Sequence, residues 1–80
     1  MKTANIYIKI GQRIEHLRKH LGVSQERLAG RAGLSRTYVG AIEKGKKRAS
    51  LETVEKIATA LNVPLCDLFI FAQRQSGKKE

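Results

Sequence analysis

The chain has 80 residues, of which 41% are hydrophobic and 5% aromatic, with sixteen Lys or Arg against seven Asp or Glu. That length suits one domain with a small core, and a formal charge of +9 with a pI of about 10.2 points to a polyanionic partner. A single cysteine, Cys66, excludes an internal disulfide and suits a reducing compartment.

Residues 1–5 read as a loose lead-in. Ile6, Ile8 and Ile10 alternate as in a strand, but with no second strand to pair with they are read as the start of a helix beginning between Asn5 and Lys9. Ile10, Ile14, Leu17 and Leu21 then recur at four, three and four residues, one helical stripe, and Gly22 stops it. His16 and His20 lie four apart on this helix. Two ligands do not complete a metal site, and no cysteine or carboxylate cluster is placed to join them, so they are read as solvated. A second helix over Ser24–Arg31 is capped by Ser24 and carries Leu28, Ala29 and Ala32 on one face. Gly33 breaks the run at a turn that needs positive φ, and Leu34 anchors that turn. A third helix over Ser35–Lys44 is capped by Ser35, buries Val39 and Ile42, and ends at Gly45.

Lys46, Lys47, Arg48 and Ala49 form a basic loop. Ser50 caps a fourth helix, Glu52 in its first turn complements the helix dipole, and Leu51, Val54, Ile57, Ala58 and Leu61 give its buried stripe up to Asn62. Pro64 suits the first turn of a fifth, short helix carrying Leu65, Leu68 and Phe69 inward. Cys66, among apolar residues, is expected to be a packed thiol. The longest uninterrupted apolar run near the C-terminus, Leu68 to Ala72, is far short of the ~20 residues of a membrane span, and no signal peptide is evident. The folded domain is expected over residues 1–73, with 74–80 as a disordered basic tail.

Two short helices around a glycine turn are the helix-turn-helix unit, whose second helix enters the DNA major groove. The small Ala29, the turn Gly33 and the inward Val39 and Ile42 fill its four anchor positions. Over roughly residues 10–69 the chain resembles the Cro and phage-repressor, or Xre-like, family, and SRTYVGAIEKG is close to the recognition helix of restriction–modification controller proteins. A plain helical hairpin would not require Ala29 and Gly33 together. The resemblance implies an all-α, five-helix phage-repressor-like domain. Charge agrees with it: Lys9 to Arg48 holds eleven Lys or Arg against Glu15, Glu26 and Glu43, a net of +8, whereas Ala49 to Gln73 nets −2. A basic surface kept only for solubility would not need that asymmetry.

Val39 and Ile42 fix the buried face of the third helix, leaving Arg36, Thr37, Gly40 and Ala41 opposite. Arg36 is the first candidate for base readout, because a guanidinium matches the two acceptors of a guanine edge; a plain phosphate contact is the competing account. Thr37 offers a methyl or a hydroxyl, Tyr38 either touches DNA or packs on the core, and Gly40 and Ala41 permit close approach. Ser35, at the start of this helix, joins the candidate phosphate ligands. By resemblance, Gln25 sits at the N-terminus of the second helix against a phosphate, where free N–H groups favour an anion, and Lys46, Lys47 and Arg48 form a second backbone clamp. Solvated side chains are the alternative for each. Family loops often carry Asn-Pro where this chain has Arg48 and Ala49. Arg18 and Glu43 match a family ion pair tying the first helix to the end of the third.

One such module buries too little surface for strong sequence choice. A homodimer reading a palindromic operator is therefore expected, with Leu65, Ile70 and Phe71 as interface candidates; packing onto the chain's own core is the alternative. The resemblance implies a sequence-specific regulator acting on double-stranded DNA in the cytoplasm of a prokaryote or phage host. It also implies an autoregulatory controller that contacts or blocks RNA polymerase. An antitoxin-like module that grips a partner protein and autoregulates its operon is the alternative, and nonspecific coating of nucleic acid a third. No nucleophile–base arrangement, paired-carboxylate site or phosphate loop appears, so no enzymatic activity, cofactor, small-molecule ligand or metal is expected.

Overall fold

The computed structural model describes residues 5–71. Among them the chain forms four α-helices, α1 (Ile6–His20), α2 (Gln25–Ala32), α3 (Arg36–Glu43) and α4 (Leu51–Leu61), and a C-terminal 3-10 turn, Leu65–Phe69. The expected tail, 74–80, lies outside the described residues.

Each α-helix is bracketed by its own sequence signals. Asn5 belongs to the fold rather than to a loose lead-in: its side chain accepts from the backbone N–H of Tyr7 and Ile8 at 3.0 and 3.1 Å. Ser24, Ser35 and Ser50 accept from the N–H groups of Arg27, Tyr38 and Thr53 in the same way. At the other ends Gly22, Gly33, Gly45 and Asn62 take the left-handed conformation. The chain then folds back, as where Leu34 N–H donates to the Ala29 carbonyl and Lys46 N–H to that of Ala41.

The core gathers Ile14 from α1, Leu28 from α2, Val39 and Ile42 from α3, Val54 and Ile57 from α4, and Leu68 from the 3-10 turn, all fully buried. Four expectations fail at its edges. Leu21 is 47% exposed, because α1 has ended and Val23, after the turn at Gly22, packs on the core instead. Leu51 is 71% exposed: it is the first residue of α4 and overhangs the core, while Ala49 just before the helix is buried. The fifth helix is a 3-10 turn. Its Leu68 is buried, while Leu65 and Phe69 are exposed; past its end Ile70 is extended and exposed, and Phe71 packs against the core. Cys66 is an exposed thiol, not a packed one. His16 and His20 stack on the surface of α1, ring centroids 6.2 Å apart, and no group of three or more metal-ligating side chains occurs among the described residues.

Candidate nucleic-acid interface

The turn between α2 and α3 is built on Gly33, at φ 71° and ψ 31°, a conformation that costs an L side chain steric strain. Ala29, buried where the two helices meet, keeps them close. Val39 and Ile42 then turn one flank of α3 wholly inward. The opposite flank carries Arg36 and Thr37, both exposed, with Tyr38, Gly40 and Ala41 partly covered. Tyr38 packs against the core while keeping part of its ring at the surface.

A glycine that periodicity did not single out sets how α1 backs this helix. Gly11 is buried in α1, and a Cβ there would overlap the Ile42 carbonyl oxygen and stand 2.8 Å from that of Glu43. Backbone touches backbone at this crossing. The signal in the sequence is a glycine inside an otherwise regular helical stripe.

Beside it lies the buried ion pair. Arg18 Nε and Nη2 donate to the two carboxylate oxygens of Glu43 at 2.6 and 3.2 Å, and Nη1 donates to the Val23 carbonyl at 2.8 Å. Gln25 completes the group, its Nε2 donating to Glu43 Oε1 at 2.9 Å. The Gln25 side chain, expected at a phosphate, is thus committed to Glu43 and lies against Gly40. What the start of α2 offers an anion is its backbone. The N–H groups of Gln25 and Glu26 precede the first bond of the helix, which Leu28 donates to Ser24. Ser35 Oγ accepts from Tyr38 N–H and retains its own proton to donate.

The second group of cations stands beyond the far end of α3. An eight-residue helix is about 12 Å long, so Lys46, Lys47 and Arg48 are separated by that length from Arg36. All three are exposed. Their loop is fastened to α1 at Gly45, where a Cβ would meet Ile8 Cγ1 at 2.6 Å, and by Arg48, whose guanidinium carbon lies 5.6 Å from the centre of the Tyr7 ring. The apolar candidates lie elsewhere, Leu65 on the 3-10 turn that packs on α1 and α4, and Ile70 and Phe71 just after it. Of these Leu65 and Ile70 are exposed, while Phe71 is half-buried with Lys9 Nζ 5.9 Å from its ring centre.

A family model described as helix-turn-helix matches residues 14–68. The chain is 41% identical over 70 residues to control protein C.BamHI of Bacillus amyloliquefaciens, covering 86% of each. It is 43% identical over 54 residues to the immunity repressor protein of Bacillus phage phi105, covering 68% of this chain and 38% of that one. Among solved structures, the restriction–modification controller protein C.AhdI from Aeromonas hydrophila superimposes with a TM-score of 0.77 at 46% identity, over 79% of this chain and 96% of the other.

Proposed function

This chain belongs to the helix-turn-helix family, whose members are non-enzymatic regulators of transcription that bind double-stranded DNA, and on that footing we propose that α3 is its recognition helix. The observation that carries the proposal is the two-sidedness of α3: Val39 and Ile42 are buried, and Arg36 and Thr37 stand free on the other flank. Inserted into the major groove, the N-terminal part of α3 brings Arg36, Thr37 and Tyr38 to base edges. Gly40 and Ala41 let the helix sit deep. Ser35, the first N–H groups of α2, and Lys46, Lys47 and Arg48 hold phosphates on either side.

The DNA-binding unit spans residues 1–73 and acts as a homodimer on a palindrome, joined through Leu65 and Ile70. Similarity to controller proteins supports a role in a restriction–modification system. There the dimer regulates its own promoter and an endonuclease gene in the cytoplasm by contacting or blocking RNA polymerase. Among the described residues no helix is long and apolar enough to cross a membrane.

Selection of bound fragments from random duplexes tests the proposal. The expected result is a palindromic consensus whose half-sites are about 34 Å apart. Equal recovery of all sequences at fixed salt would reduce the protein to a nonspecific coat.

A further inference from the structure

Of the four cations between α3 and α4, Lys44, Lys46, Lys47 and Arg48, Arg48 is the one that meets an aromatic ring among the described residues, that of Tyr7 in the first turn of α1. Tyr7 is half-buried on a fixed helix start, its own N–H bonded to Asn5. The loop is held on both sides of Arg48, by Gly45 against Ile8 and by buried Ala49. A guanidinium held over a ring face by cation–π attraction leaves N–H donors free for a further partner. We propose that Tyr7 is a positioning residue for DNA binding. By holding Arg48 against its ring, it presents a pre-oriented guanidinium to a backbone phosphate. The inference rests on the reading of this loop as a phosphate clamp.

An arginine on an exposed loop otherwise loses much rotamer freedom when it grips a phosphate. The contact with the Tyr7 ring removes part of that loss before DNA arrives. Counterion release from DNA follows from cations meeting phosphates, so any effect of the Tyr7 ring on the salt dependence of binding must pass through a cation.

The test is a salt titration of binding to a mixed-sequence DNA duplex by wild type, Tyr7→Phe, Tyr7→Leu, Arg48→Ala, Arg48→Lys and the double variant Tyr7→Leu/Arg48→Ala. Circular dichroism monitors folding. Arg48→Ala is expected to reduce the slope of log K against log salt by about 0.9, one phosphate contact. Tyr7→Leu is expected to weaken binding by about 2- to 5-fold, the worth of an exposed cation–π contact, and to flatten the slope. Tyr7→Phe, which keeps the ring, behaves as wild type, and Tyr7→Leu adds nothing once Arg48 is Ala. Arg48→Lys, an exposed change that leaves the fold alone, keeps the charge but binds more weakly. The proposal is overturned if Tyr7→Phe loses as much as Tyr7→Leu, because the hydroxyl would then be the contact. It is also overturned if Tyr7→Leu weakens the Arg48→Ala protein equally, or if Arg48→Lys matches wild type. An inert Arg48→Ala would instead remove the clamp, and the inference with it; an active Arg48→Ala beside an inert Tyr7→Leu would remove the inference alone.

Discussion

Arg18 of α1 and Glu43, the last residue of α3, form a bidentate ion pair that is 8% and 4% exposed. It fastens the C-terminal end of α3 to the scaffold, and Gln25 bonds the start of α2 to the same carboxylate. Removing one partner of such a pair leaves a buried charge without its counterion. Glu43→Ala is therefore expected to cost about 3–5 kcal/mol, read as a large fall in the urea midpoint. Val23 still accepts from Arg18 and softens the loss. An unchanged midpoint would mean that the pair contributes nothing net.

Gly11 and Gly30 make opposite predictions for the same substitution. Alanine is the better helix former by about 0.8–1.0 kcal/mol, and both glycines lie within helices. At Gly30 an added Cβ meets nothing within 4 Å, so Gly30→Ala is expected to stabilise by roughly that amount. At Gly11 it would collide with the Ile42 and Glu43 carbonyls, backbone atoms that move only by shifting α3. Overpacking of this kind typically costs about 1–3 kcal/mol, which outweighs the propensity gain. Gly11→Ala is expected to lower the urea midpoint and to weaken binding to a selected operator.

The contrast between these two glycines shows what a linear sequence reveals. Ser24, Ser35 and Ser50 were legible as caps, and Gly33 and Gly45 as helix stops, because that chemistry is completed within a few residues. The stripes of α1 and α4 were legible in their middles and failed at Leu21 and Leu51, where the helix ends and the core runs out. Gly11 against Ile42, Gln25 on Glu43 and Arg48 on Tyr7 join residues far apart in the chain. Such contacts depend on which helix crosses which, and periodicity does not carry that. The Arg18–Glu43 pair is legible only through the family resemblance. The 3-10 turn is not legible, because five residues do not distinguish a period of 3.0 from one of 3.6.

Ile70 and Phe71 are neighbours with different burial, and this separates assembly from folding. Ile70 is 54% exposed; Phe71 packs on the core. Ile70→Lys is expected to leave the circular dichroism spectrum and melting temperature close to wild type while converting dimers to monomers in sedimentation velocity. In the proposed dimer two like charges would then face each other across the two-fold axis. Phe71→Lys is expected to lower the melting temperature as well. A wild-type protein that sediments only as a monomer at tens of micromolar, roughly a weak-dimer threshold, would remove Leu65 and Ile70 as an interface.

Arg36 and Lys47 are both exposed cations, on opposite sides of α3 along its axis, and charge alone does not distinguish them. Position does. Arg36 opens the helix proposed to enter the groove, where its fork would meet both acceptors of a guanine, a match worth about 1–3 kcal/mol of discrimination. Lys47 follows the helix on a loop, the proposed phosphate clamp, where a point charge would meet phosphate whatever the sequence. Arg36→Ala is therefore expected to relax preference at one position in each half-site of the selected consensus. Lys47→Ala is expected to weaken matched and mismatched duplexes alike and to reduce the salt slope by about 0.9. Competition assays on single-base operator variants distinguish the two. If Arg36→Ala weakened every duplex equally, Arg36 would be a second phosphate ligand, and sequence choice would fall to Thr37 and Tyr38.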